Sequence, residues 1–398
     1  MIIIGGTYKE INDFSDSEVI YGSGVRALDT ILELDKDISI DFHTCCHEFA
    51  RKIQLRHGCF SNLRLHIIDS EDISFYYIHP FNLSGISPRP DYFNHNRKVI
   101  NAEGDDVLIF GMLEADFHIT ANRVVYDPQT SVRPVLFSDT GSKVDTLAYV
   151  LNVHEAKVLT GLEEPDEQAK YLFKRENCRC VVIKNGAKGA YVYDSNVESK
   201  YIIPVYITPK VSCIGSEDVF TASFSYFWFK GYSALDSAAL ASKLVACYAS
   251  SGNTNDLRVK LEQFSYPELN QSRQGQIYLA GPFFSFSQRW LICEFYKALL
   301  QENIKIFSPL HDVGVGGDET AERDIEGLNS SDVILAIADG LDAGTMFEVG
   351  YAVKKGIPVV VFNSCEHSND LQMLSGTGCE MVNDFATAVY KSIWYAIK

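Results

Sequence analysis

Basic charge is scarce in this chain of 398 residues: Lys and Arg number 35 against 52 Asp and Glu, a formal net charge of −17. A surface of that sign repels a phosphate backbone and no basic cluster interrupts it, so nucleic acid is excluded as an expected partner. Long apolar runs are also missing. None approaches the roughly 20 residues that span a bilayer, so no membrane partner is expected. The N-terminal MIIIGGTYKEIND lacks the basic segment, long apolar stretch and cleavage site of a secretory signal, and a cytoplasmic location is expected. Ten cysteines are scattered without a CxxC pair. Cys45-Cys46 and Cys178-Arg179-Cys180 have neither zinc-site spacing nor nearby histidines, which leaves reduced thiols as the expectation.

Hydrophobic residues at 46% and charged residues at 22% give the balance of a globular protein, and the length calls for more than one domain. Apolar runs at Met1–Ile4, Val107–Phe110, Val181–Ile183, Ile277–Leu279, Val333–Ile337 and Val359–Phe362 are separated by helix-length stretches. That spacing predicts buried parallel strands in an α/β architecture. The polar interruption Ser265–Gln276 carries Pro267 and Gly275 and lacks periodicity. Cutting there gives a first domain over 1–264, a linker over 265–274 and a second domain over 275–398. The aromatic and turn-rich segment Ile73–Arg97 reads either as a small β lid beside the first sheet or as a long surface loop.

In the second domain, Ser331–Gly356 (SDVILAIADGLDAGTMFEVGYAVKKG) parses as strand, loop and helix, the helix closing with Lys354, Lys355 and Gly356. The loop therefore lies at the carboxyl end of a parallel strand, where open α/β sheets place ligands, and Asp339, Asp342 and Glu348 crowd it. Thr345-Met346-Phe347-Glu348 also fits a capping box, which would give Glu348 a purely structural task. The wider pattern, QIYLAGPFF at Gln276–Phe284, Asp324 eight residues before Asp332, and DAGTMFEVGYA at Asp342–Ala352, resembles the nucleoside 2-deoxyribosyltransferase family over nearly all of Gly275–Lys398. The resemblance implies a flavodoxin- or Rossmann-like doubly wound parallel sheet. It makes Glu348 the nucleophile at the anomeric carbon, Asp342 the ligand of the deoxyribose hydroxyls, Asp324 the residue associated with the base and its protonation, and Tyr278 the residue positioning Glu348. Gly281, Phe283, Gly344 and Met346 are implied in substrate binding, with Asn369 in a segment (Asn369–Met373) that completes a neighbouring subunit's site in a homo-oligomer. No cofactor is implied for the glycosidic chemistry.

These roles suit the chemistry. Breaking an N-glycosidic bond builds oxocarbenium character that a carboxylate can trap covalently, and a second acid must protonate the departing base. Transfer to a second base and hydrolysis by water both remain open at this stage. A related branch of the fold acts on nucleoside 5′-monophosphates and holds phosphate just after the first strand. Here that position reads Gly281-Pro282-Phe283-Phe284, with Ser285, Ser287 and Arg289 beyond, which favours a nucleoside-sized substrate. His311-Asp312 reads as part of a loop.

In the first domain, VSCIGSEDVF at Val211–Phe220 precedes an apolar helix at Thr221–Phe229, and small residues at a helix start expose N–H groups to an anion. This resembles the signature of the ribokinase-like (PfkB) carbohydrate kinase family. The resemblance implies Asp218 as catalytic base, Gly215, Ser216 and Glu217 as the anion hole, and ATP with Mg²⁺ as cofactors. Asn152 and Glu155 match its N-x-x-E motif, Glu155 bearing indirectly on Mg²⁺; Lys184, Gly186 and Gly189 in KNGAKG match its glycine turn, and Asp127-Pro128 matches more weakly. Two departures stand out: Glu217 replaces a glycine of the signature, and YGSGVRA at Tyr21–Ala27 keeps Gly22 and Gly24 but lacks the usual asparagine. Asp218 could equally serve only the helix dipole. The expectation is an enzyme that cleaves or exchanges an N-glycosidic bond of a nucleoside or nucleotide, fused to a sugar or nucleoside kinase-like domain. The alternative makes that domain a degenerate, nucleotide-binding or assembly module for a nucleotide N-glycohydrolase in signalling or defence.

Overall fold

VILAI at Val333–Ile337 and VVVF at Val359–Phe362 have no polar face, and both are buried throughout. Strands of this kind need cover on both sides, which parallel sheets with flanking helices provide. The computed structural model describes all residues except 13–16, 83, 130–133, 196–198, 315, 317 and 368, and leaves the side chains at 17, 199, 318 and 319 undescribed. It divides into two compact units. The first comprises Met1–Ile78, Leu83–Tyr206 and Ser212–Tyr266; the second comprises Pro267–Lys398 together with His79–Asn82 and Ile207–Val211.

The sheet of the second unit runs Lys305–Phe307, Gln276–Ala280, Val333–Ile337, Val359–Phe362, Glu380–Val382, every neighbouring pair parallel. The first strand in sequence is second in space, so successive connections leave it in opposite directions and open a crevice at its carboxyl end. The helix Phe385–Ile397 packs on this sheet, with Phe385 stacked on Phe295 of the helix Phe286–Gln301 at 4.0 Å between ring centroids. Two short segments complete this unit. His79 Nε2 lies 3.0 Å from Glu294 Oε2, both buried, and Val211 N donates to Thr387 Oγ1 at 2.9 Å.

The first unit has a nine-stranded sheet in the order Ser199–Ile203, Ala190–Asp194, Cys180–Lys184, Lys143–Asn152, Ala115–Asp127, Lys98–Phe110, Ile2–Ile4, Ile40–Cys45, Leu63–Ile68. It is parallel except for the antiparallel pairings made by the strand Ala190–Asp194. Lys98–Phe110 and Ala115–Asp127 pair in parallel although only residues 111–114 join them. At about 3.5 Å per residue that link cannot return the length of a straight 13-residue strand. Lys98 N donates to Glu114 O and Gly111 N to Asp127 O, each at 2.8 Å, so both ends of each strand meet at one end of the sheet. The strands therefore fold back where the ladder breaks at Asp105 and Asn122, and the arms 98–104 and 115–121 bury Ile100, Phe117 and Ile119 with Tyr126 and Tyr149.

Ile73–Arg97 is β in part, with turn and loop between and after its two strands. Ile73–Tyr77 and Gly85–Ser87 join Tyr8–Asn12 and Ser17–Tyr21 in a separate four-stranded sheet. Among the described residues no helix is long and apolar enough to cross a membrane.

Candidate active site

Tyr278, wholly buried at the middle of Gln276–Ala280, donates from its hydroxyl to Glu348 Oε1 at 2.6 Å. The tyrosine is fixed by its strand and by stacking on Phe307 at 5.5 Å. Glu348 comes from the helix Ala343–Lys355, which follows the Val333–Ile337 strand, so residues 70 apart in sequence meet across the crevice. Burial pushes the Glu348 carboxyl up to about 7; the Tyr278 bond opposes this, and the charges of Asp324 and Asp342 reinforce it. Tyr278 in turn is held well above the usual phenol range by burial and by Glu348. Asp324 is also raised by burial, and its Oδ1 is buried with no hydrogen-bond partner. Glu348 thus feels two further carboxylates on top of its burial, the kind of environment that sets one carboxyl apart from its neighbours.

The capping-box reading of Glu348 is corrected here. Asp342 is the N-cap: its Oδ2 accepts from Thr345 N at 2.9 Å and Thr345 Oγ1 at 3.1 Å. The helix starts three residues earlier than the Thr-x-x-Glu spacing implies, so Glu348 lies in its second turn and caps nothing. Gly356 closes the helix with φ 75°, the left-handed region that glycine enters without cost.

In the first unit, Asp218 is buried in the opening turn of Ser216–Phe229. Both its oxygens are engaged: Oδ2 accepts from Arg26 Nη1 at 2.7 Å and Oδ1 from Gln129 Nε2 at 2.8 Å. Burial pushes its carboxyl upward, and Arg26 and Gln129 pull it back. Arg26 Nη2 donates to Glu10 Oε2 at 2.6 Å, while Glu10 Oε1 accepts from Gly22 N at 3.0 Å. Alongside, Lys184 Nζ donates to Asp127 Oδ2 at 2.8 Å and lies 3.5 Å from Glu217 Oε2, which also accepts from Asn152 Nδ2 at 3.0 Å. Asn152 and Glu155 form a reciprocal capping box for Val153–Thr160. Burial drives both Asp127 and Glu155 upward against the pull of Lys184, whose own ammonium is held charged by these neighbours.

Residues 277–385 match the family model described as Nucleoside 2-deoxyribosyltransferase, and residues 111–260 that of the pfkB family carbohydrate kinase. The chain is a fusion of a PfkB kinase-like domain and a nucleoside deoxyribosyltransferase-family domain. Both families are families of enzymes. No curated protein matches the chain. Among solved structures, a ribokinase from Thermotoga maritima aligns at 13% identity and TM-score 0.49, covering 66% of this chain and 98% of that one. A ribokinase from Giardia lamblia aligns at 14% and 0.49 with the same coverage, and a pyrophosphate-dependent kinase of the ribokinase family at 17% and 0.44, covering 66% and 99%.

In the deoxyribosyltransferase-family domain the other sequence-selected residues divide. Gly281 is a packing glycine, since a Cβ would meet Ile292 Cδ1 at 2.6 Å. Gly344 lies beside Asp342 Oδ2, and Met346 packs on the core of this domain. Phe283 stacks on Phe284, and its carbonyl accepts from Arg289 Nε at 2.7 Å. Asn369 stands exposed on the surface. His311 stacks on Tyr296 at 3.9 Å and its Nδ1 lies 2.9 Å from Ser308 Oγ, in a short helical turn at Pro309–Val313.

In the PfkB domain, Gly186 and Gly189 shape the hairpin between Cys180–Lys184 and Ala190–Asp194; a Cβ on Gly189 would stand 2.1 Å from Ile203 O. Gly215 has φ 80° and lies against Arg26, and Ser216 N donates to Cys213 O. Sequence reading missed Glu10, Arg26, Gln129 and Thr221, which donates to Asp127 Oδ2 at 2.7 Å; the arginine in YGSGVRA was the available signal.

The residues present do not fit a nucleotide phosphate with its Mg²⁺. Lys184 is bonded to Asp127 and lies 3.5 Å from Glu217, which also takes Asn152 Nδ2, and Glu155 spends an oxygen on its own helix cap. Among the described residues no group of three or more His, Cys, Asp or Glu is arranged to hold a metal ion. Removing the competing carboxylate should therefore help. Glu217→Gly is expected to tighten Mg·ATP binding about tenfold, equivalent to about 1.4 kcal/mol, by isothermal titration. Equal affinity in both forms would show that the glutamate does not compete.

Proposed function

We propose that the deoxyribosyltransferase-family domain cleaves or exchanges the N-glycosidic bond of a nucleoside, with Glu348 as nucleophile. The supporting observation is the bond from Tyr278 to Glu348 in a crevice whose other acids are Asp324 and Asp342. Tyr278 holds Oε1 and leaves Oε2 to attack the anomeric carbon. As the bond from that carbon to the base nitrogen breaks, the base takes a proton from Asp324, which burial keeps protonated to higher pH. Asp342, with Oδ2 committed to Thr345, offers Oδ1 to a sugar hydroxyl. The glycosyl ester on Glu348 is then opened by the nitrogen of a second base or by water, the attacking proton returning to Asp324.

The loop after the first strand argues for a nucleoside without a 5′-phosphate. Ser285 Oγ accepts from Gln288 N, the Gln288 side chain accepts from Phe284 N and Ser285 N, and Arg289 is tied to Phe283 O. Phe284 N, Ser285 N, Gln288 N and Arg289 Nε are therefore engaged within the chain, which leaves fewer donors for a phosphate at this helix start. A homo-oligomer remains part of the proposal through the exposed Asn369 and Met373 segment.

Because the attacking Glu348 must be ionised and sits near 7 while Asp324 must be protonated, kcat/KM should be bell-shaped in pH, with Glu348 on the ascending limb and Asp324 on the descending one. Tyr278→Phe removes the bond that favours the charged form. Its ascending limb is expected to move up by about one pH unit, which a loss of packing alone would not produce. The test is a kcat/KM profile for base release from a 2′-deoxynucleoside by the full chain. An unshifted limb would remove Tyr278 from the positioning role, and no released or exchanged base from any nucleoside or nucleotide would end the glycosidic reading.

A further inference from the structure

We propose that Cys293 is a modification site in the deoxyribosyltransferase-family domain: a thiol that His311 primes for exchange with small disulfides, and whose capture loosens the helix that carries Asp324. The site itself does not depend on the glycosidic reading; only its effect on catalysis rests on that reading.

Cys293 sits in the second turn of the Phe286–Gln301 helix and is partly exposed. Its Sγ lies 3.8 Å from His311 Nε2, close enough for a sulfur to share a proton with an imidazole. That imidazole is not a freely turning surface ring. It stacks on Tyr296 at 3.9 Å between ring centroids, and Nδ1 lies 2.9 Å from the hydroxyl of Ser308, a fully buried residue. With the Nδ1 proton donated to Ser308 Oγ, Nε2 turns its lone pair to the thiol. Burial holds the imidazole below its usual range, against the pull of Asp312, so it is neutral near pH 7 and able to accept a proton. Lys297, four residues along the same helix, is near enough to feel a charge on the sulfur. A thiol, a base and a third group that orients the base make up the arrangement of an activated nucleophile.

In the exchange the Sγ proton passes to His311 Nε2, and the thiolate attacks one sulfur of the disulfide. The S–S bond of the reagent breaks as the new bond to Sγ forms, and the departing thiolate takes the proton from Nε2. The net charge of −17 favours a neutral or cationic disulfide over an anionic one. An adduct on Sγ displaces the ring beside it. His311 belongs to the turn Pro309–Val313, at the carboxyl end of the strand Lys305–Phe307, the end of the sheet where the crevice opens. Arg323 Nη2 ties this turn to the helix Asp318–Asn329 by donating to Asp312 O at 2.9 Å, and Asp324 is the next residue along.

The test treats the reduced full chain with a neutral disulfide, dithiodipyridine, and follows each cysteine by peptide mass mapping. Cys59 and Cys365 are more exposed than Cys293, so access alone would rank them first. Cys293 is instead expected to label about tenfold faster than either. His311→Phe keeps the stack on Tyr296 and is expected to remove that lead while leaving the Cys59 rate unchanged. On labelling of the wild type, amide exchange over residues 320–326 is expected to rise about tenfold and base release to fall severalfold, with neither change in Cys293→Ser. Labelling in the order of exposure, equal Cys293 rates in the wild type and His311→Phe, or exchange and base release that labelling leaves unchanged would each overturn the proposal. No base release from the unlabelled protein would end the glycosidic reading instead, and the labelling and exchange results would still decide this one.

Discussion

With Glu348 replaced by glutamine, base release from the preferred nucleoside is expected to fall at least a thousandfold, about 4 kcal/mol of barrier, because an amide cannot form the glycosyl ester. The fold should survive. Asp342 and Thr345 cap the helix without help from Glu348, and glutamine keeps an acceptor for the Tyr278 hydroxyl. Stability should even improve above neutral pH. The folded-state pKa of Glu348, about 7, lies above its unfolded value, so the stability this group contributes is fully present below about 4.5 and is lost as pH rises through 7. Glutamine has no charge to desolvate, so its melting temperature at pH 8 is expected to exceed that of the wild type. A 2-fluoro-2-deoxyribosyl nucleoside should label the wild-type peptide containing Glu348 and leave the variant unlabelled. Label on Asp342 or Asp324 would move the nucleophile there.

Lys184→Met is expected to cost the PfkB domain about 3–5 kcal/mol at pH 8, since it leaves Asp127 and Glu155 buried without their cation. The loss should depend on pH. Both carboxyls already have folded-state pKa values raised above the unfolded ones, and removing Lys184 raises them further. Their protonated forms fit the variant, so the penalty is small near pH 5 and grows as pH rises through the raised values. Urea midpoints at pH 5 and pH 8 measure this, and equal losses at both would place the two carboxyls outside the influence of Lys184.

The β and α elements that carry the proposed glycosidic site were legible because their local chemistry is unambiguous. VILAI and VVVF lack a polar face and can only be buried strands, and Lys354-Lys355-Gly356 marks a helix end wherever the rest of the chain goes. The folded-back arms of the first sheet were not legible. Their alternation, buried then exposed along Ala115–Ala121, is that of any half-covered strand, and what bends them is the short link that ends at Glu114. The second unit likewise draws in His79–Asn82 and Ile207–Val211, segments remote in sequence, because a buried Glu294 and the backbone at Val211 find their partners there.

By itself the sequence determined the classes of the two domains and the set of acids available to each, since strand and helix patterns and motif spacing are properties of neighbouring residues. Only the tertiary structure decided what those acids face. It made Asp342 the helix cap and freed Glu348 to meet Tyr278, 70 residues away. It also set Arg26 against Asp218 across 192 residues. A carboxylate's reactivity follows from burial and from the charges within a few ångströms of it, and those neighbours are chosen by the fold, not by the spacing along the chain.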